Sequence, residues 1–260
     1  MTYMVTFSDE QRTYFELLAE IGHTKHIGGV KATGRLVELI DPGRGDAVLD
    51  VGIAPVFLAK QFGCLVTGVD ITPLMLQRAG ERALREGVID FVDFRVANMH
   101  ALPFEDNAFD SAIAESVITF SHDKVSVLNE LARVVRPGGV VAFTEAIWAR
   151  QPPPGQEQFM GRASGMPEGI LNNEAWRKAL EASVLGDIVA EPYAITAREE
   201  SKSQAGRIPA ADYLRAIPRS FKVLGKSEYR DVFRTAFKSM PKDYYHYVGF
   251  GIYGGVVPAG

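Results

Sequence analysis

The chain has 260 residues, 47% of them hydrophobic and 23% charged, which is enough apolar material for the core of one large globular domain. Its formal net charge of −4 argues against a nucleic-acid partner, because such surfaces gather Lys and Arg against phosphates. Cys64 is the one cysteine, so no internal disulfide can form, and the sequence shows neither a signal peptide nor a membrane-spanning run. We therefore expect a cytoplasmic protein with no membrane partner.

The sequence pattern divides the chain into three parts. We expect lid helices in residues 1–32, an alternating strand-and-helix core in residues 33–148, and a cap or substrate segment with the last strands of the same domain in residues 149–260. Gly28 and Gly29 precede a predicted helix and permit a close approach of the backbone. The side chains expected in the lid are Tyr14, Phe15, His23 and His26.

Short apolar runs alternate with helix-forming segments in the core part. The runs are typical of buried strands, whereas the segments between them carry the Leu, Ala, Arg and Glu that favour helices. We predict strands at residues 47–51, 65–69, 91–96, 109–114 and 140–144, and helices at residues 33–40, 57–62, 73–86 and 124–135. The run Arg136-Pro137-Gly138-Gly139 is expected to end the last of these helices as a turn.

The pattern becomes irregular after Trp148. A proline-rich stretch follows Gln151, and three consecutive prolines cannot continue a helix. We predict an irregular segment to residue 173, a helix at 174–183, a strand at 187–193, a polar segment at 196–206, helical pieces at 210–217 and 227–238, and a last strand at 244–257. This order favours an edge hairpin with an inserted helical cap.

Strands separated by helices predict a parallel sheet with helices on both faces. Right-handed connections bring the carboxyl ends of such strands to one edge, which is where open α/β sheets bind ligands. Asp50 and Gly52 lie at this end of the first predicted strand, and Asp70 follows the second. Gly52 lets a ligand approach the main chain, and the Asp70 carboxylate can accept both hydroxyl hydrogens of a ribose.

These residues carry a resemblance to a known family. The stretches 48–52, 66–70, 95–104 and 133–139 resemble the class I S-adenosylmethionine (SAM)-dependent methyltransferases, over roughly residues 26–148. The likeness is strongest to the ubiquinone/menaquinone-biosynthesis-type small-molecule methyltransferases. It implies an α/β, Rossmann-like, doubly wound fold with a mostly parallel seven-stranded sheet, an antiparallel last strand and a helical cap. It also implies methyl transfer from SAM to a small molecule by in-line displacement.

The resemblance implies a role for each matching position. Asp50 and Gly52 would lie beside the methionine part of SAM, and Asp70 would bind the ribose. Asn98 would accept from the adenine amino group where the family usually has Asp, since an amide oxygen also accepts hydrogen bonds. The other cofactor-binding residues that it implies are Ile71, Met99 on the adenine face, and Glu115 near the sulfonium and the substrate.

One stretch departs from the family pattern, which has Asp-x-Gly-x-Gly-x-Gly. This chain instead reads Asp50-Val51-Gly52-Ile53-Ala54-Pro55-Val56. The span from Asp50 to Asp70 is 20 positions, about four fewer than the pattern's usual length. The glycine-rich loop thus lacks about one helical turn's length, which leaves Pro55 in the first turn of the next helix. Two explanations stay open: a truncated cofactor loop, which would weaken SAM binding, or residues missing from the sequence.

The candidates for a catalytic base are Glu115, Glu145 and His26. A base is needed if the methyl acceptor is a hydroxyl or an activated carbon acid, whereas a thiolate or amine needs none. The alternative for His26 is a capping or packing role, and the alternative for Glu115 and Glu145 is a solvated or hydrogen-bonded strand end. We expect no metal, because no Cys and His cluster has metal-ligand spacing.

Two other functions stay open on the sequence. A SAM-binding protein of the same fold could have lost catalysis with its shortened loop. An NAD-linked oxidoreductase is disfavoured, because its first turn would carry Gly-x-Gly-x-x-Gly to meet a pyrophosphate. The sequence identifies neither the methyl acceptor nor the oligomeric state, so monomer and homodimer both stay open.

Overall fold

The computed structural model describes residues 9–20, 26–52, 55–154, 166–205 and 243–259, together with the short pieces 218, 225–227 and 229–230. Within this part of the chain, eight strands form one mixed sheet. The strands are β1 (Ala47–Val51), β2 (Leu65–Asp70), β3 (Val92–Val96), β4 (Phe109–Glu115), β5 (Val135–Trp148), β6 (Leu171–Asn172), β7 (Gly186–Ala194) and β8 (Val248–Val256).

The strand order is β3-β2-β1-β4-β5-β8-β7, and the two-residue β6 pairs with β5. Strands β1 to β5 pair in parallel, whereas β8 is antiparallel to both of its neighbours, β5 and β7. The predicted α/β, mostly parallel sheet with an antiparallel last strand is confirmed. The short β6 is an addition to the expected seven strands.

Helices pack on both faces of the sheet. The helices of the described ranges are α1 (Asp9–Glu20), α2 (Gly29–Ile40), α3 (Pro55–Phe62), α4 (Pro73–Glu86), α5 (Lys124–Val134), α6 (Asn173–Glu181), α7 (Ala197–Ala205) and α8 (Tyr244–Tyr247). Helices α2, α3 and α4 contribute to one buried cluster and α5 and α6 to the other. None of the helices in these ranges is long and apolar enough to cross a membrane.

The two cores explain why the central strands β1 and β4 are mostly apolar. Successive side chains of a strand point to opposite faces, so Val48 and Ile113 join one cluster while Leu49 and Ala112 join the other. Cys64 is fully buried in the first of these clusters, which confirms its predicted place in the core.

Most predicted elements of the core part are confirmed within one or two residues, and the helix 73–86 matches at both ends. Pro55 is the first residue of α3, as expected for proline in a first helical turn. The predicted boundary between residues 32 and 33 falls inside α2, and the three-part division of the chain stays a prediction. The helical pieces at 210–217 and 227–238 lie almost wholly outside the described residues.

The polar segment predicted after β7 is instead the helix α7. Thr196 and Glu199 form a capping box at its start: the Glu199 carboxylate accepts from the Thr196 N–H at 2.9 Å, and the Thr196 hydroxyl accepts from the Glu199 N–H at 3.2 Å. Reciprocal bonds of this kind satisfy two N–H groups that a helix start otherwise leaves open. A local cap therefore overrides the lack of apolar periodicity.

Two strand ends also differ from the prediction. Strand β5 begins at Val135, directly after α5, and residues 136–139 bulge from it between the pairs Phe109–Val135 and Ser111–Val140. Gly138 adopts a φ of +80° in this bulge. The predicted last strand begins at Val248, because residues 244–247 form a helical turn before it.

Candidate functional site

A hollow with about 620 Å³ of free space, part of it open to solvent, lies at the carboxyl ends of β1 to β4. It lies where the strand order reverses between β1 and β4, as predicted for a ligand site on this type of sheet. The described residues that line it are Phe15, Val51, Gly52, Val69, Asp70, Ile71, Thr72, Ala97, Asn98, Met99, His100, Val117, Phe120 and Ser121.

Asp70 brings a carboxylate to this hollow from the end of β2. The carboxylate accepts a hydrogen bond from the Thr72 backbone N–H at 2.7 Å. Burial raises the pKa of Asp70 to about 6, and the backbone N–H groups of Thr72 and Ile71 work against that rise. The carboxyl group is therefore mostly ionised at neutral pH and remains an acceptor for hydroxyl groups. Ile71 lies beside it in the wall.

Gly52 gives the hollow a wall of bare backbone at the end of β1. Its φ of +133° lies in a region that favours glycine, and its N–H donates to the Val69 carbonyl at 2.9 Å. A Cβ at Gly52 would stand 3.7 Å from the Val117 side chain across the hollow. Asp50 is fully buried and is not among the described lining residues, so its predicted contact with a methionine group stays a prediction.

The predicted short loop after Gly52 reaches residues 53 and 54, which lie outside the described residues. The Pro55 ring sits so close to β2 that a Cβ on Gly68 would stand 2.7 Å from it. The start of α3 is thus packed directly on the sheet, and Gly68 is required there because no larger residue fits.

Asn98, Met99 and His100 form the wall after β3. The Asn98 side-chain oxygen accepts from the His100 backbone N–H at 3.0 Å, which closes a tight turn. Ala97 donates its N–H to the Asp70 carbonyl at 3.1 Å and so ties this turn to β2. The structure therefore brings the predicted adenine and ribose residues together in one hollow.

The turn after β4 forms the opposite wall and was not predicted as part of the site. A 3₁₀ turn at Ile118–Phe120 presents Phe120, whose ring lies 4.8 Å from that of Phe15 in an edge-to-face contact. Ser121 follows, and its hydroxyl lies 2.9 Å from His100 Nε2. Phe15 was expected in the lid and does line the hollow. Of the other expected lid residues, His26 is described below, the placement of the Tyr14 side chain stays a prediction, and His23 lies outside the described residues.

Glu145 supports that turn from below. Its Oε1 accepts from the backbone N–H groups of Ile118 at 2.8 Å and Thr119 at 3.2 Å. The side chain is fully buried, and burial raises its pKa to about 8. Glu145 is not among the described lining residues of the hollow. This placement gives it a supporting contact, and its predicted role as a base stays a prediction.

The other two candidate bases, His26 and Glu115, contact each other. His26 Nε2 lies 3.1 Å from Glu115 Oε1, and the Thr33 hydroxyl donates to the same oxygen at 2.6 Å. Their side chains are only 5% and 6% exposed. The cluster joins α2 to the end of β4. Neither candidate base belongs to the described lining of the hollow, and the predicted contact of Glu115 with a cofactor stays a prediction.

Comparison with known proteins identifies the family. Residues 49–143 match the methyltransferase domain family. The chain is 30% identical over 174 residues to the uncharacterized methyltransferase YodH of Bacillus subtilis (strain 168), and the match covers 65% of this chain and 72% of that protein. It is 30% identical over 145 residues to the 27-O-demethylrifamycin SV methyltransferase of Amycolatopsis mediterranei (strain S699), covering 54% and 53%. The chain spans less than half the length of several other curated relatives.

The fold is shared with enzymes of known structure. One is phosphoethanolamine N-methyltransferase 2 of Haemonchus contortus, solved with phosphomonomethylethanolamine and S-adenosylhomocysteine (SAH). The two structures superimpose with a TM-score of 0.68 at 20% sequence identity, and the match covers 99% of this chain and 61% of the Haemonchus chain. Identity this low shows the fold alone, and the finer likeness to quinone-biosynthesis enzymes stays a prediction. Sheet order and sequence relatives agree, and the chain belongs to the class I SAM-dependent methyltransferase family.

Proposed function

We propose that the chain transfers the methyl group of SAM to a small-molecule acceptor by in-line displacement. The single observation that carries this proposal is the hollow at the sheet edge, in which Gly52, Asp70 and Asn98 line one space. Family membership supports the reaction. The similarity to the 27-O-demethylrifamycin SV methyltransferase of Amycolatopsis supports a small-molecule acceptor.

The residues of the hollow fit SAM in kind and in placement. Asp70 is an ionised acceptor for the two ribose hydroxyls, and Ile71 and Met99 offer apolar surfaces for the adenine ring. Gly52 leaves room where a Cβ would otherwise project toward Val117. When bound, SAM supplies a sulfonium methyl group that a nucleophile can attack directly.

The remaining work of the protein is alignment and the exclusion of water. The acceptor attacks the methyl carbon along the line of the breaking bond. This step is fast when the two reactants are held close and aligned, because they have already lost their translational and rotational entropy on binding. Phe15 and Phe120 pack edge to face at the hollow and shield it with apolar surface. Glu145 fixes the turn that carries Phe120 through its two backbone hydrogen bonds.

We propose the His26–Glu115 pair as the group that takes a proton from a hydroxyl acceptor. His26 Nε2 lies 3.1 Å from the Glu115 carboxylate, whose negative charge would stabilise a proton taken up by the pair. Thr33 fixes the carboxylate by its own bond to Glu115. Glu145 is the weaker candidate, because its Oε1 already accepts two backbone bonds below the wall turn.

We also propose that the protein acts in the cytoplasm and has no nucleic-acid partner. The one cysteine, Cys64, is buried and cannot form an internal disulfide, which suits a reducing compartment. A net charge of −4 offers little attraction for a polyanion.

The test is transfer itself. The purified chain is incubated with methyl-labelled SAM and a panel of hydroxyl, amine, thiol and carbon-acid metabolites, and labelled product is separated from unused SAM. We expect label on at least one small acceptor, with formation of an equal amount of SAH. Binding of SAM by calorimetry with no transfer across the panel would instead support the alternative of a SAM-binding protein that has lost turnover.

A further inference from the structure

His100 stands between two separate spaces in the structure. On its inner side is the hollow described above. On its outer side is an open groove of about 780 Å³ beside α5, lined by His100, Asp123, Val125, Ser126, Asn129, Glu130 and Arg133. Among the described lining residues, His100 is the only one that belongs to both spaces.

The imidazole ring is held across this wall by a hydroxyl group on each side. Its Nε2 lies 2.9 Å from the hydroxyl of Ser121, which lines the inner hollow. Its Nδ1 lies 3.5 Å from the hydroxyl of Ser126, which lines the outer groove. The Ser121 hydroxyl also accepts from the Asp123 N–H at 2.9 Å, which leaves its own hydrogen to donate to His100 Nε2.

The main chain of His100 fixes the ring as well. Its N–H donates to the Asn98 side-chain oxygen at 3.0 Å, so the wall residue and the predicted adenine-contacting residue belong to one turn. Burial lowers the pKa of His100, which keeps the ring neutral at physiological pH. Two side-chain contacts and one main-chain bond together fix the position of His100 in the wall.

We propose that His100 limits the size of the nucleobase that the hollow accepts, and that it excludes purines carrying a substituent on the 6-amino group. The inference rests on the proposed function, which places adenine with its amino group beside Asn98. A substituent on that amino group would then meet the ring of His100, two residues along the same turn.

Loss of the ring should open a passage from the hollow to the groove. The groove is open to solvent and is lined by several polar side chains. A substituent on the purine could therefore pass through the space left by the His100 ring and reach the groove, where the polar side chains stay in contact with water. Forcing an extra group into a filled wall weakens binding by about 10- to 100-fold, and opening the wall should recover most of that loss.

The experiment compares two ligands on three proteins by calorimetry. The ligands are SAH and its N6-benzyl derivative. The proteins are the native chain, His100→Ala, and His122→Ala as a matched control, because His122 is an exposed histidine on the same segment. The measured quantity is the ratio of the two dissociation constants for each protein. His100→Asn is measured in parallel and carries the test if the alanine variant does not fold.

We expect the native chain and His122→Ala to bind the benzyl derivative at least about tenfold more weakly than SAH. We expect His100→Ala to reduce that ratio by about tenfold or more, through tighter binding of the benzyl derivative. An unchanged ratio in a folded His100 variant that binds SAH would overturn the inference and leave the proposed function intact. A native chain that binds both ligands equally would do the same. Failure of the native chain to bind SAH would remove the proposed function and the inference together.

Discussion

Replacing Glu145 with Gln should change how the stability of the protein depends on pH. The buried Glu145 has a pKa of about 8 in the folded chain, against 4.5 for an ordinary Glu. The folded protein therefore keeps a proton that the unfolded chain releases, and its free energy of unfolding falls as the pH rises between these values. Gln has the same shape and a carbonyl that can accept from Ile118 and Thr119, but no proton to lose.

The size of the effect follows from the linkage between pKa and stability. One such group changes the free energy of unfolding by about 1.4 kcal/mol per pH unit between its two pKa values. From pH 5 to pH 7 the Glu145→Gln variant should therefore gain about 3 kcal/mol relative to the native chain. Urea unfolding at pH 5, 6 and 7 measures this difference, with Glu105→Gln as a control at an exposed position. A difference that stays flat with pH would show that Glu145 is already ionised in the folded protein and would refute the reasoning.

Three further predictions follow from the site and the core. Asn98→Asp should bind SAH a few-fold more tightly by calorimetry, because a carboxylate is a stronger acceptor for the adenine amino group; weaker binding would contradict that contact. His26→Ala should lower kcat for a hydroxyl acceptor by about 100-fold or more while SAH binding is retained, and an unchanged kcat would exclude it as the base. Trp176→Ala should destabilise the fold by about 3–5 kcal/mol in urea, because Trp176 is fully buried and packs against Phe143 and Tyr253; a loss below about 1 kcal/mol would contradict that packing.

The sheet and its ligand edge could be predicted because strand burial leaves a direct trace in sequence. Runs such as 47–51 are apolar except at Asp50, because their side chains face a core on both sides. The end of a strand is then visible as the first polar residue or glycine. Asp70 and Gly52 were found in this way, and both line the hollow.

The wall residues His100, Phe120 and Ser121 could not be predicted, because turns place them. A residue two or three positions beyond a strand can face the ligand or the solvent, according to which backbone groups close the turn. The bond from His100 N–H to Asn98 and the bonds from Glu145 to the turn after β4 decide this here. Neither has a strong sequence signature.

Glu145 shows a second limit. Its position near the carboxyl end of β5 suggested a group facing the ligand, yet its carboxylate turns under Ile118 and Thr119. In a strand that is buried on both faces, hydrophobic alternation does not show which way a polar side chain points. The capping box of α7, by contrast, was readable: Thr196 and Glu199 have the required spacing, and only the surrounding polarity hid the helix.

The ribose contact of Asp70 is the part of the account on which the others rest, and calorimetric titration of SAH into Asp70→Ala tests it most directly. At pH 7.5 the native carboxylate is ionised, and loss of its bonds to two hydroxyls should weaken binding by about 10- to 100-fold. The control is Asp90→Ala, because Asp90 is an exposed aspartate just before β3. This variant should bind SAH with the affinity of the native chain. If Asp70→Ala binds SAH with native affinity while the protein stays folded, the cofactor does not lie in this hollow as we have placed it.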